Sequence, residues 1–322
     1  DNLADAVVVD GNLIYQSGKQ YNLKPVVAEV YDQGMGTSYY AVAVVRKNST
    51  ITINSLKGTK SCHTGLQKTA GWNVPIGFLI DSGRMSAMAC DIQKGVASFF
   101  SRSCVPGADK ALYPSLCELC KGAGHYMRLN NATELYQDYN GAFRCLVESI
   151  NPDDWARDVL STDYELLCRD GTRAPVSKWR ECNLARVPAR AVIVRPDVDA
   201  SLIYKTLHEG QQKYNDFSSG FKMFDSSAYN GSNLIFRDAT TELRLISNQT
   251  YQAWLGDEFL QAMTGIDCDP DKLPKFLRWC TLSTQEVWKC AAMAMAFKNQ
   301  TLYPSIHCVS AENQEECMKM IQ

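Results

Sequence analysis

The stretch SCHTGLQKTAGWN, residues 61–73, places small and hydroxyl residues around one cation just before an apolar run. Ala70 and Gly71 let a ligand approach the main chain closely, and the free N–H groups at the start of a helix favour negative charge. Thr64 can donate a hydrogen bond, and Lys68 adds a positive charge. The stretch predicts an anion-binding turn, with an ordinary structural turn as the alternative.

The composition is that of a globular protein. The 322 residues are 45% hydrophobic, which is enough for one large or two medium domains. The formal net charge of -2 gives no extended basic surface, so we exclude nucleic acid as a partner. No apolar run approaches the roughly 20 residues that span a bilayer, so we expect no transmembrane segment in this chain. The first residues, 1–5, carry no basic and apolar leader, and we expect any secretion signal to be cleaved or to lie upstream.

The cysteine pattern indicates an oxidising compartment. Thirteen cysteines are dispersed along the chain without the paired CxxC spacing of a zinc framework. The lone CxxC, Cys117 and Cys120, is interpreted as part of a disulfide-laced loop rather than as a zinc or redox site. Five glycosylation sequons fit the same secreted, extracellular location. They lie at Asn48, Asn131, Asn230, Asn248 and Asn299.

Short apolar stretches alternate with helical patterns. Residues 39–45 and 190–194 are β-branched and mostly apolar, as buried strands are, while residues 201–214 and 284–298 read as helices. This alternation favours a mixed α/β architecture of sheets covered by helices.

Longer sequence blocks indicate which protein family the chain resembles. Residues 22–65, GAFRCL at 141–146, ELLCRDG at 165–171 and YQAWLG at 251–256 resemble the transferrin family in the same order along the chain. The resemblance implies an α/β fold, a transferrin-like lobe of two α/β domains. Such lobes are similar to periplasmic binding proteins, with paired strands joining the domains around an interdomain cleft that closes by hinge motion.

The resemblance also implies a domain division. Residues 1–38 and 188–270 form a discontinuous first domain, residues 39–187 the second, residues 271–276 a linker, and residues 277–322 the opening of a following or swapped lobe. The chain is therefore one lobe long but shifted in phase. Three explanations stay open: the last segment completes the same lobe, another copy completes the first domain by segment exchange, or the chain is part of a two-lobed protein, which we favour.

Family members bind Fe³⁺ through one aspartate, two tyrosines and one histidine. Motif by motif, the resemblance assigns Asp10, Tyr39 and Tyr139 as ligands, and hard oxygen donors suit a trivalent cation. The histidine position holds Arg190, in LARVPAR at 184–190. Arginine has no free lone pair, so it cannot replace an imidazole ligand.

Two interpretations of the replaced histidine follow. In one, iron still binds weakly, with water at the vacant position. In the other, which we favour, the Arg190 side chain lies where the metal would bind and pairs with Asp10 or a tyrosine hydroxyl. A third arrangement leaves Arg190 in solvent.

The resemblance assigns a carbonate to the turn at residues 61–73. Its ligands are Thr64, Lys68, Ala70 and Gly71. The family has arginine where this chain has Lys68, which keeps the charge but loses the planar two-pronged contact with the anion.

The resemblance further implies six disulfides and leaves Cys117 as a free or intermolecular thiol. The implied pairs are Cys62 with Cys145, Cys90 with Cys268, Cys104 with Cys120, Cys168 with Cys182, Cys280 with Cys317, and Cys290 with Cys308.

The chain departs from the family after Glu148. The family continues there with a core strand and a helix, whereas this chain reads SINPDDW at 149–155. Either the second domain is remodelled or residues are missing from the chain, and both alternatives bear on the placement of Tyr139.

The expected function is that of a secreted glycoprotein lobe with a degraded Fe³⁺ and carbonate site, structural or adhesive in role, with weak or no iron binding. Functional ferric iron binding and transport is the alternative. We do not expect an enzyme. A hydrolase is the least favoured reading, because only four histidines occur and His63, the one suggestive histidine, lies outside any nucleophile-elbow or paired-histidine motif.

Overall fold

A computed structural model describes residues 3–31, 36–88, 90–122, 134–148, 159–214, 220–247, 249–268, 276–300, 302 and 304–321. The helices in these ranges are Gly11–Tyr21 (α1), Val74–Asp81 (α2), Ile92–Phe99 (α3), Asp138–Glu148 (α4), Ala200–Tyr214 (α5), Tyr251–Leu255 (α6), Asp257–Ile266 (α7), Thr284–Asn299 (α8) and Gln314–Ile321 (α9). The strands are Ala6–Val9 (β1), Lys24–Val30 (β2), Ser38–Ala41 (β3), Val44–Arg46 (β4), Lys60–Cys62 (β5), Arg102–Cys104 (β6), Tyr164–Leu167 (β7), Arg173–Pro175 (β8), Ala185–Pro188 (β9), Ala191–Val194 (β10), Glu242–Leu245 (β11), Phe276–Thr281 (β12) and Ser305–Ser310 (β13).

The largest sheet joins distant parts of the chain. Its order is β1-β10-β2-β11, and every pairing is antiparallel. Alternate residues of β10 enter different cores: Ala191 and Ile193 share a cluster with Ile14 of α1, while Val192 and Val194 share a cluster that packs against α5. Helices therefore cover both faces of the sheet, which confirms the predicted mixed α/β class.

The anion turn lies at the start of a continuous helical stretch. Residues Thr69–Asn73 form a π-helical turn that leads directly into α2. Helix α2 packs tightly against α7, since a Cβ atom on Gly77 would lie 1.9 Å from the Ala262 carbonyl oxygen. Phe259 of α7 is fully buried in the same core. This contact fixes the helix that carries the turn.

The predicted strand at residues 39–45 is two strands in different sheets. Strand β3 pairs with β9, with Tyr39 opposite Val187, whereas β4 pairs with β7. The amide of Leu167 donates to the Ala43 carbonyl, so the chain leaves one ladder and enters the next at this point. Strands β3 and β9 thus run side by side where the chain passes between the large sheet and the β4-β7-β8 sheet.

The structure contains the six disulfides that the resemblance implied. Cys117 is a free thiol, and it is 4% exposed with its Sγ donating to the Ala108 carbonyl. Because the Cys117 thiol is buried, it is not accessible for the intermolecular disulfide that the sequence left as an alternative. The departure after Glu148, at residues 149–158, lies outside the described residues.

Residues 276–321 form a unit with its own sheet. Strands β12 and β13 pair with each other in parallel, two disulfides lie within the unit, and α8 packs on β13. The two-stranded sheet is separate from the sheet that contains β1. Several large apolar side chains of the unit are exposed, Trp288 and Met295 among them.

Candidate metal and anion site

Asp10 lies where β1 ends and α1 begins. Its carboxylate caps the helix by accepting a hydrogen bond from the Leu13 amide at 3.0 Å. Aspartate is a preferred N-cap because the first helical N–H groups lack partners within the helix. Capping holds the carboxylate at a fixed place beside the cleft.

The two predicted tyrosine ligands meet in this structure. Tyr39 comes from β3 and Tyr139 from the first turn of α4, and their hydroxyl groups are hydrogen-bonded to each other. Burial, followed by the neighbouring Tyr139, raises the pKa of Tyr39 well above its usual value. Desolvation of the Tyr139 hydroxyl group in the cleft also raises its pKa, although the residue as a whole is more than half exposed. Asp10 adds to both shifts, so the three oxygen ligands lie within electrostatic range of one another.

Arg190 takes a different position from the predicted one. Its Nη2 atom donates to the Val8 carbonyl at 3.4 Å, and its backbone N–H donates to the Tyr31 hydroxyl at 3.0 Å. The Arg190 guanidinium forms no hydrogen bond with Asp10, Tyr39 or Tyr139. The predicted pairing is therefore corrected: Arg190 lies at the edge of the site and near buried Glu29. Burial raises the pKa of the Glu29 carboxyl above its usual value, and the charge of Arg190 offsets part of that rise.

A second cation, Arg237, faces the ligands instead. Burial alone would lower the pKa of this guanidinium, but Tyr31, Tyr39 and Tyr139 together raise it. Its Cζ atom lies 5.4 Å from the centroid of the Tyr31 ring. The position that sequence reasoning assigned to Arg190 is thus approached by an arginine from a different part of the chain.

Glu29 holds Arg237 in place and was also missed from the sequence. It is 1% exposed, and its carboxylate accepts hydrogen bonds from the Arg237 backbone N–H at 3.4 Å and from the Thr240 hydroxyl at 3.2 Å. The signal was available, because a single acid inside the buried strand β2 requires a donor or cation partner. Nothing in the residues around Arg237 identifies it as that partner.

The anion turn has an unpartnered polar atom. Thr64 is 7% exposed, and its Oγ1 atom has no hydrogen-bond partner. A Cβ atom on Gly71 would lie 2.1 Å from that oxygen, so glycine is required for the backbone to pass there. An oxyanion with acceptor oxygens would satisfy the hydroxyl at a helix start that favours negative charge. The residues at this end of the site fit a carbonate.

Lys68 is directed away from the buried part of the turn. Its Nζ atom lies 3.7 Å from a carboxylate oxygen of Asp138, and both side chains are substantially exposed. The Asp138 backbone N–H also donates to the Thr64 carbonyl at 2.9 Å, which ties α4 to the turn. Lys68 can help an anion only by giving up or sharing this ion pair.

A cavity of about 570 Å³ opens between these elements. Its lining includes Tyr31, Tyr39, Tyr139 and Arg237, with Trp179 among the apolar residues. The arrangement can offer Asp10 and two phenolic oxygens to a hard cation and a threonine hydroxyl to its anion. It also places a guanidinium beside those oxygens.

The elements define a mixed α/β lobe with a cleft of oxygen ligands beside an anion turn. A family model described as Transferrin matches residues 1–268 and 277–322, and the chain belongs to the transferrin family. Members of this family are iron-binding and transport proteins.

Three relatives illustrate the range of similarity. The chain is 53% identical over 340 residues to melanotransferrin of Oryctolagus cuniculus, covering 99% of this chain and 46% of the relative. It is 39% identical over 346 residues to serotransferrin of Sus scrofa, covering 100% and 48%. It is 38% identical over 339 residues to a Sus scrofa protein named inhibitor of carbonic anhydrase, covering 99% and 47%. The chain spans about half the length of the relatives it matches.

Proposed function

We propose that this chain is a lobe of a melanotransferrin-like, extracellular glycoprotein whose ferric-carbonate site is degraded and whose role is structural or adhesive. The observation that carries the proposal is the pair of guanidinium groups at the metal end of the site. Arg190 replaces the imidazole ligand, and Arg237 faces Tyr39 and Tyr139.

Electrostatics favours this assignment over tight iron binding. At an effective dielectric constant of ~20, two unit charges ~8 Å apart repel by about 2 kcal/mol, and a trivalent ion multiplies that repulsion. Loss of the fourth protein ligand acts in the same direction. The two effects together disfavour a ferric ion between Asp10 and the tyrosines.

The disulfides and sequons support the extracellular location. Cytosolic proteins rarely keep disulfides, and this chain has six. Asn48, Asn230 and Asn299 are exposed, as glycan acceptors must be, while Asn131 and Asn248 lie outside the described residues. In the described part of the chain no helix has the length and apolar content needed to cross a membrane.

The burial of His63 argues against the hydrolase reading. The side chain is enclosed, with Nδ1 2.9 Å from the Gly71 carbonyl and Nε2 2.9 Å from the Ser61 hydroxyl. Desolvation lowers its pKa to about 4. With both ring nitrogens engaged in hydrogen bonds, His63 is suited to holding the turn rather than to general-base catalysis.

A ferric titration with bicarbonate tests the proposal. We expect no tyrosinate-to-iron charge-transfer absorbance for the wild-type chain and a measurable band for Arg190→His. Arg244→His is the matched control, since Arg244 is a half-exposed arginine on β11. A strong band for the wild-type chain that survives a competing chelator would overturn the proposal.

Ferric iron binding is kept as the second candidate because the oxygen ligands do converge. Asp10, Tyr39 and Tyr139 are within electrostatic range of one another, and the Thr64 hydroxyl awaits an acceptor. A wild-type band of tyrosinate character in the same titration would support this candidate.

We assign a second lobe as the main partner, with segment exchange between copies as the alternative. The exposed apolar side chains of residues 276–321 and the half-length coverage of the relatives favour a partner at this unit. Light scattering of the purified chain separates the two, because exchange produces dimers or longer assemblies and a missing second lobe leaves monomers.

A further inference from the structure

A second cavity, larger than the first, lies beside the anion turn and shares the Tyr139 side chain with the metal end. Its volume is about 720 Å³. Its lining includes Thr64 and Gly71 of the turn and is mostly apolar, with Ile53, Phe100 and Leu167 among the apolar side chains. The volume falls within the range of roughly 300 to 1,000 Å³ that is typical of small-molecule sites.

The cavity reaches the surface. Val42 and Tyr139 line it and are 37% and 56% exposed, whereas Ile53 and Leu167 are 2% and 1% exposed. A ligand can therefore enter from the cleft side and bury an apolar chain behind the turn. Close-packed protein interiors do not ordinarily leave an apolar space of this size.

The polar end calls for an acceptor. Thr64 Oγ1 is buried without a partner, and the helix that begins at Thr69 directs its positive end at the same place. The missing side chain of Gly71 keeps the approach open. A carboxylate satisfies the hydroxyl and the helix start together, and an uncharged head group satisfies the hydroxyl alone.

We propose that this cavity binds a medium- or long-chain carboxylic acid, with the carboxylate at the anion turn and the apolar chain among Ile53, Phe100 and Leu167. This binding needs no iron and goes beyond the structural role proposed above. If the acid does not bind, the result of the ferric titration is unaffected. If the ferric titration contradicts the structural role, the test of acid binding is likewise unaffected.

Calorimetry of the iron-free chain with hexanoate, octanoate and decanoate tests the proposal. Affinity should rise about fourfold for each added methylene, because each buried CH₂ contributes a constant increment of free energy. Thr64→Val should weaken decanoate at least tenfold and decanol by a smaller factor, because a hydrogen bond to a charged carboxylate is stronger than one to a neutral hydroxyl. Leu146→Trp, which fills the cavity, should weaken both, whereas Leu202→Trp on exposed α5 should weaken neither.

Three results would overturn the proposal. The first is no binding of any acid, which is also the result if the chain itself fills the cavity. The second is an affinity independent of chain length, which would indicate adventitious binding of the head group only. The third concerns Arg46, which lines the cavity with a buried, unpartnered Nε: if Arg46→Met rather than Thr64→Val removes the preference for acid over alcohol, the carboxylate is not at the turn. The chain-length series uses the unmodified protein and stands even if a variant fails to fold.

Discussion

The two halves of the site differ in how closely they match the site that the family resemblance implies. The anion half keeps its geometry: Thr64 is buried and unpartnered, and Gly71 leaves the space that an oxyanion needs. The metal half brings the three proposed oxygen ligands together with two cations, Arg190 at the edge and Arg237 facing the tyrosines. If the proposed function holds, the site has lost its cation while retaining the pocket for its anion.

The difference follows from what each half requires. The anion half depends on backbone N–H groups and on Gly71, where a side chain would collide with buried Thr64, so changing this residue would disturb the fold. The metal half depends on side chains at a cleft surface, where a substitution costs little stability. Predictions that disturb one half and leave the other intact test this division.

The largest effect should come from removing both cations. We expect Arg190→His combined with Arg237→Gln to raise ferric affinity by about a thousandfold or more, since each lost charge relieves repulsion against a trivalent ion. Chelator competition in bicarbonate buffer measures it. The paired control is Arg190→His with Arg244→Gln, which removes a charge outside the cleft. An affinity equal to that of the wild-type chain would mean that the cations are not what excludes iron.

The next effect concerns Glu148, which anchors the helix that carries Tyr139. Burial would raise its carboxyl pKa, but hydrogen bonds from Lys121, Tyr136 and Arg144 lower it to about 2. We expect Glu148→Gln to reduce the free energy of unfolding by about 3–5 kcal/mol, as when a buried ion pair loses one partner. Denaturant titration at pH 7 measures it.

The pH dependence gives Glu148 a second readout. A depressed folded-state pKa stabilises the protein above the ordinary glutamate value, and this stabilisation is lost as the pH falls from about 4.5 towards 2. Glu315→Gln, in the exposed pair with Lys319, should change stability by less than about 0.5 kcal/mol. Equal effects of the two substitutions would contradict the anchoring role.

His63 should give the anion half its own pH dependence. Burial lowers its pKa from 6.5 to about 4, so the unfolded chain binds a proton between these values and the folded chain does not. Stability should then fall by about 3 kcal/mol as the pH drops from 6.5 to 4, and level off below 4 with respect to this group. The slope should be absent in His63→Gln. A persistent slope in that variant would assign it to other groups.

Sequence reasoning reached the anion half more completely than the metal half. Thr64 and Gly71 are close in sequence, so a local motif captures them, and the long ordered blocks identified the family and the α/β class. Arg237 belongs to no motif and reaches the tyrosines only because β11 pairs with β2 after a connection of more than two hundred residues. The position of the Arg190 side chain depends on its hydrogen bond to the Val8 carbonyl, and no pattern in the sequence reveals this contact.

The strand boundary at residues 42–43 was missed for a related reason. The run from Tyr39 to Val45 is continuously apolar, and periodicity alone does not show that β3 and β4 pair with different partners. Only the three-dimensional pairing with β9 and β7 divides the run.

The smallest effect tests whether the anion half is rigid in advance of any ligand. In Gly71→Ala the new Cβ atom would meet Thr64 Oγ1 at 2.1 Å and Thr64 Cγ2 at 2.5 Å, and Thr64 is too buried to move freely. We expect a loss of about 2 kcal/mol in the free energy of unfolding, as in other overpacked interiors.

Gly210→Ala on α5, where the nearest atom is Met223 Sδ at 3.8 Å, should instead stabilise by up to about 1 kcal/mol. Combining Gly71→Ala with Thr64→Ala removes the two closest contacts but leaves Thr64 Cβ at 2.7 Å, so it should recover part of the loss, a coupling that a double-mutant cycle measures. A neutral Gly71→Ala would mean that the turn relaxes around the new methyl group, and the anion half would then be no better preserved than the metal half.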